Sequence, residues 1–202
     1  LPLIQEKVVD ILRSSPADLV HPDVYLCMRV FLCRFASQHL TGFWPIILTE
    51  MVRILAQAKV DLPADKSDRL QLVFSVVKLA DFLITLQTDD FQIHQWLLIT
   101  DTPDATNLAS SYMADSLLDC LAKFVSECQR ELVFDANDSL ERAQQRRPLL
   151  QMSSVATIST LQPFFATASR AFYQCDFHAT LDWDNINACL LHDLFEPIHT
   201  NT

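Results

Sequence analysis

Apolar residues return every three or four positions along most of the chain, which is the period of amphipathic helices. From Pro2 to about Ser14 they fall at Ile4, Val8, Ile11 and Leu12, and Pro16 closes the run. His21-Pro22-Asp23 then starts a second helix with Tyr25, Met28, Leu32 and Phe35 on one face. A third helix, about 43–60, places Trp44, Leu48, Met51, Leu55 and Ala58 at alternating spacings of four and three. A fourth, about 65–88, does the same with Leu72, Val76, Leu79, Leu83 and Leu86. Val73, Val77, Ala80 and Ile84 widen that last stripe beyond a pairing seam, so the pattern predicts a central helix buried on two sides. Phe91 to Ile99 reads as a short apolar helix and "TDTPDATN" as a loop. A further helix opens at Ser110 or Ser111 and runs through Met113, Leu117, Leu121, Phe124, Val125 and Cys128. The polar stretch at about 135–151 reads as a mobile surface segment, and two last helices cover about 153–175 and 180–196. Short links between amphipathic helices predict an all-α fold. We expect antiparallel helical hairpins stacked as an α-solenoid-like domain of armadillo/HEAT type, one domain over residues 1–202, although no fixed-period repeat is present.

Composition narrows the class further. The chain has one glycine in 202 residues. Hairpin turns and phosphate-binding loops draw on glycine's freedom at positive φ, so barrels, sandwiches and nucleotide-binding folds are disfavoured. That glycine, Gly42, lies in "HLTGFWPIILTEM", where Thr41-Gly42 lets the chain turn and Pro45 opens the third helix at a position that loses no hydrogen bond. Trp44 is expected to staple this turn by packing near Leu48.

The cysteines Cys27, Cys33, Cys120, Cys128, Cys175 and Cys189 fall mostly on apolar faces of a chain large enough to fold without staples, and they read as reduced core residues. None forms a C-x-x-C pair, so a structural zinc is not indicated. Lys78 and Asp81 interrupt the longest apolar run, leaving nothing long enough to span a bilayer. The chain opens on Leu1 without a signal-like segment and reads as an excised piece of a larger protein.

Catalytic signatures are missing. One glycine rules out a G-x-S-x-G elbow, a P-loop or a dinucleotide fingerprint, and no H-E-x-x-H occurs. His178 with Asp182, and His192 with Glu196, are each spaced four apart, but on one helix the two pairs would stand roughly 21 Å apart at about 1.5 Å per residue. They read as surface or capping contacts; no cofactor, metal or enzymatic role is expected. The formal net charge is −10, divided as −2 over residues 1–100 and −8 over 101–202, which argues against nucleic acid. Arg142, Arg146 and Arg147 are spaced for one side of a helical turn. They are the candidates for an anionic lipid headgroup, although a solvated segment beside Glu141 is the simpler reading.

Residues 24–55, "VYLCMRVFLCRFASQHLTGFWPIILTEMVRIL", resemble the carboxy-terminal region of the Dopey family. A leucine- and arginine-rich helix runs into a turn carrying Gln38, His39, Leu40, Thr41, Trp44, Pro45, Thr49 and Glu50. "FQIHQWLLITDT" at 91–102 resembles the family more loosely. The resemblance implies a non-catalytic scaffold, peripheral to the cytosolic face of Golgi and endosome membranes and serving endosome-to-Golgi traffic. It implies two partners, a large Golgi scaffold related to Arf exchange factors and an aminophospholipid flippase. Leucine-zipper labels attached to such sequences would refer to Leu48, Leu55 and Leu62 and to Leu72, Leu79 and Leu86; the last three are the candidates for a homodimer or partner surface. Pro63 between the rows breaks any extended zipper. The alternative is a phosphoinositide-recognition domain using the three arginines.

Overall fold

The computed structural model describes residues 2–14, 17–99, 116–128, 141–174 and 179–195. The expected loop at 100–107, the helix start at Ser110 or Ser111, the stretch 135–140, and Cys175, His178 and Glu196 lie outside the described residues. The helices are α1 (Pro2–Ser14), α2 (Ala17–Arg34), α3 (Trp44–Val60), α4 (Asp68–Leu86), α5 (Asp89–His94), α6 (Leu117–Cys128), α7 (Gln162–Gln174) and α8 (Trp183–Phe195). No strand occurs among the described residues, and the helices stack in solenoid-like fashion.

The centre of the stack is α4. Ser67 caps its start, accepting from the Leu70 N–H at 3.1 Å. Every residue from Leu72 to Leu86 is buried. The broad apolar stripe thus extends all the way round, because α2 lies along one side while α3 and α7 close others and α6 packs on α3 and α7. Gln87 ends α4 in the left-handed conformation at φ 49°, and Thr88 caps α5. The chain bends there by 116°. No single described helix is long and apolar enough to cross a membrane.

Several expectations need correction. Pro22 does not start α2 but sits inside its second turn, since the helix begins at Ala17 with Asp18 in the first turn. Pro22 then costs the helix one backbone hydrogen bond. The last two helices are shorter than expected. Residues 153–157 run irregularly against the α3–α4 link and the first turn of α4, with the Val155 carbonyl accepting from Gln71 Nε2 at 2.9 Å and that of Ala156 from the Lys66 N–H at 3.0 Å. A 3-10 turn at Ile158–Leu161 leads into α7. Gly42 does not use a positive φ. It lies in a 3-10 turn where α1 comes close: Gln5 Nε2 donates to its carbonyl at 2.8 Å, and a Cβ there would fall 2.4 Å from that nitrogen. A side chain at 42 would push Gln5 away from its acceptor.

The leucine rows are consumed by the core. Leu72, Leu79 and Leu86 are only 3%, 0% and 7% exposed, and Leu48 and Leu55 are buried as well. A helix enclosed on all sides turns this leucine row inward, and Leu72, Leu79 and Leu86 present no exposed row. Of the cysteines, Cys189 is buried, Cys33 and Cys120 are half-buried and Cys27 is exposed on α2, against the expectation of a core position.

Candidate interaction site

Two charges stand one turn apart in the most buried helix: Lys78 and Asp81, 3% and 1% exposed. Burying an ion costs several kcal/mol unless partners replace its water. Asp81 is satisfied by backbone. Its two carboxylate oxygens accept from the N–H groups of Leu149 at 2.9 Å and Leu150 at 2.8 Å. Burial still pushes its pKa up to about 6, those two N–H groups and the cations of Lys78 and Arg29 only partly opposing.

Lys78 is satisfied by a side chain from far along the chain. Asp193, on α8, places Oδ1 2.5 Å from Lys78 Nζ and accepts through Oδ2 from Arg29 Nη1 of α2. All three side chains are less than a tenth exposed. The Arg29 guanidinium lies 5.5 Å from the centre of the Phe82 ring, and Lys78 Nζ 5.3 Å from that of Phe74, so each cation also rests near an aromatic ring. Burial lowers the Lys78 pKa, and Asp193 counteracts it. Above this cluster a cleft of about 300 Å³ opens between α2, α4 and α8, walled by Leu19, Leu26, Phe74 and Leu194 and rimmed by Asp18, Asp23 and Asp68.

Polar contacts dominate the seat of α8. Besides Asp193, Asn187 accepts from Arg34 at 2.8 Å. Asp182 caps the first turn, taking the Asn185 N–H at 3.0 Å on Oδ1 and Arg147 Nε at 2.6 Å on Oδ2. That N–H and that guanidinium hold the Asp182 carboxyl below the usual range. Ile186, Cys189 and Leu190 are the only apolar residues buried from this helix, while Leu191, Leu194 and Phe195 are exposed.

The residues singled out from sequence are dispersed. Arg146 adopts φ 49° and turns inward, where its guanidinium donates to the Thr85 and Leu86 carbonyls at 3.3 and 3.0 Å and to that of Ala179 at 3.1 Å. It therefore caps the carboxy-terminal end of α4. Arg147 faces Asp182, and Arg142 is half-buried on the single helical turn at 141–144. The described part of the segment expected to be mobile, 141–151, is thus tied to α4 by Arg146 and by the Asp81 bonds. Asp182 serves as a helix cap, and its sequence neighbour His178 and the other pair's Glu196 lie outside the described residues. No group of three or more His, Cys, Asp or Glu able to hold a metal occurs among the described residues.

The turn at 38–50 is a structural joint. Leu40 and Trp44 are buried, whereas Gln38, His39, Thr41 and Pro45 are exposed. Trp44 does more than staple its own turn: its Nε1 donates to Asp90 Oδ2 at 3.2 Å, and Ser37 Oγ donates to the same oxygen at 2.5 Å. Asp90, at the start of α5, so ties the α2–α3 turn to the α4–α5 bend. Thr49 donates to the Pro45 carbonyl at 2.6 Å, and Glu50 pairs with Arg53 at 2.7 Å. Arg29, Asp193 and Asp90 were not singled out from sequence. The one local signal was the pair Lys78 and Asp81 inside an apolar run.

The family model described as "DOP1 C-terminal" matches residues 1–177. The chain belongs to that family. The Dopey resemblance of residues 24–55 therefore extends over α1 to α7, and α8 lies beyond the matched part of the DOP1 C-terminal region. Protein DOP1B of Mus musculus is 28% identical over 205 residues, covering 85% of this chain and 9% of that protein. Protein pad-1 of Caenorhabditis briggsae is 30% identical over 176 residues, 81% of this chain and 7% of that protein. Protein DOP1 homolog of Drosophila melanogaster is 39% identical over 72 residues, 35% of this chain and 3% of that protein. The chain spans less than a tenth of the length of these DOP1 relatives. No solved structure matches it.

Proposed function

We propose that this DOP1 C-terminal chain is a non-catalytic helical interaction domain of a peripheral scaffold for endosome-to-Golgi transport, working on the cytosolic face of Golgi and endosome membranes. Membership of the family carries this reading. The fold supports it, because large apolar side chains remain on the surface away from the core: Ile93 and Trp96, on and just after α5, are 68% and 61% exposed. Its partners in this reading are the Arf-exchange-factor-related Golgi scaffold and the aminophospholipid flippase. Self-association, if it contributes, uses a face other than the α4 leucines.

Purified chain is to be tested against each of the two partners by a direct binding measurement, with Trp96→Ala as the surface variant. Saturable binding that Trp96→Ala weakens at least about tenfold is the expected result. Absence of binding to both partners, together with flotation on vesicles containing phosphoinositide, would transfer the assignment to lipid recognition. The inward turn of Arg146 and the pairing of Arg147 with Asp182 weigh toward the protein reading.

A further inference from the structure

The cations of the buried cluster, Arg29 on α2 and Lys78 on α4, belong to the family-matched part of the chain, whereas the anion that satisfies them arrives from α8, beyond the match. Neither cation is stable in the core without an anion. Asp193 serves both with one carboxylate, and Arg29 Nε remains buried with no hydrogen-bond partner among the described residues. Asp81 is turned to the backbone N–H groups of Leu149 and Leu150, and its influence on the two cations is through space and not through a hydrogen bond. The cleft of about 300 Å³ opens onto Arg29, Lys78 and Asp193 together, so an anion entering from solvent reaches the pair without passing through the core. Few buried apolar residues hold α8, so its seat depends on these polar ties.

We propose that Arg29 and Lys78 form an oxyanion-binding pocket, that Asp193 is its internal and displaceable occupant, and that the outside ligand is a phosphate or carboxylate group on a small soluble molecule. Asp193 is the chain's own demonstration of fit: two oxygens on one centre, one for the guanidinium and one for the ammonium. The guanidinium fork offers Nε as a further donor, which suits a phosphate with its extra oxygens better than a carboxylate. The rim of Asp18, Asp23 and Asp68 repels every anion, an anionic bilayer or a polyanion more than a single small one, and this favours a small acid as the ligand.

The test uses the full chain, wild type and Asp193→Asn, titrated with inorganic phosphate by calorimetry at constant ionic strength. Competition from the tethered Asp193 keeps wild-type affinity low. Asp193→Asn is expected to bind phosphate at least about tenfold more tightly, and adding Lys78→Gln is expected to remove that gain. Equal affinity of wild type and Asp193→Asn, or a gain that survives Lys78→Gln, overturns the proposal. Should Asp193→Asn fail to fold, the wild type answers alone. Phosphate should accelerate alkylation of Cys189, which α8 holds buried, relative to Cys120 on α6, as read by peptide mass spectrometry. An unchanged ratio overturns the proposal. Binding to vesicles of anionic lipid through Lys78, with no response to free phosphate, overturns the soluble-ligand assignment. None of these readouts depends on the trafficking partners, so this pocket and the scaffold reading stand or fall separately.

Discussion

Two buried carboxylates serve α4 in opposite ways. Asp81 belongs to the helix and reaches outward to backbone N–H groups of residues 149 and 150. Asp193 belongs to another helix and reaches inward to side-chain cations. Backbone donors are fixed by the path of the chain, so Asp81 works as a permanent clamp on the segment following residue 141. The donors to Asp193 sit at the floor of an open cleft, and water or another anion can take over its contacts. Burial alone does not separate a clamp from a latch; the kind of donor and the route to solvent do.

The comparison can be broken most severely at the latch. Asp193→Ala leaves two buried cations without their anion and is expected to cost about 3–5 kcal/mol in urea denaturation; a loss below about 1 kcal/mol would mean that water already shares the cluster. Asp81→Ala orphans two N–H groups and should cost about 2–4 kcal/mol, accompanied by faster hydrogen exchange at Leu149 and Leu150. Asp81→Asn sharpens the pH dependence. The folded chain holds the Asp81 proton up to about pH 6, against an ordinary 3.8. The stability from this group is complete below about pH 4 and is lost as the pH rises through about 6. Wild type minus Asp81→Asn should therefore show stability falling between about pH 4 and 6, and a flat difference would refute the assignment. Trp44→Phe keeps the ring in the core but removes the bond to Asp90, at an expected cost of about 1 kcal/mol. Arg147→Ala, at a pair partly open to solvent, should leave the urea midpoint unchanged.

How much of this was legible in the sequence depended on distance along the chain. The helical fold and the position of α3 and α4 follow from apolar period and from the Pro63 interruption, which are local signals. The enclosure of α4 was half legible: its broad stripe showed more than one buried side, but the period weakens once all faces are apolar. The role of Lys78 and Asp81 was not legible. They look like charges that break an apolar run, and their partners lie 115 and 68 or more residues away. Arg146 misled for a different reason. Spacing puts it on a helical face beside Arg142, but at φ 49° it leaves that face and spends its donors on the end of α4. Pro22 misled because a proline near a helix start reads as its first turn, while α2 tolerates it one turn later.

The separation between Lys78 and Asp193 also sets an order of events during synthesis. At about 5–20 residues per second, a ribosome takes roughly 6–23 s to pass from one to the other. Through that interval both cations have been made, yet the carboxylate they need in order to be buried together has not. The nascent chain must keep both cations hydrated until Asp193 has been made, so its most buried helix stays partly open to water until then.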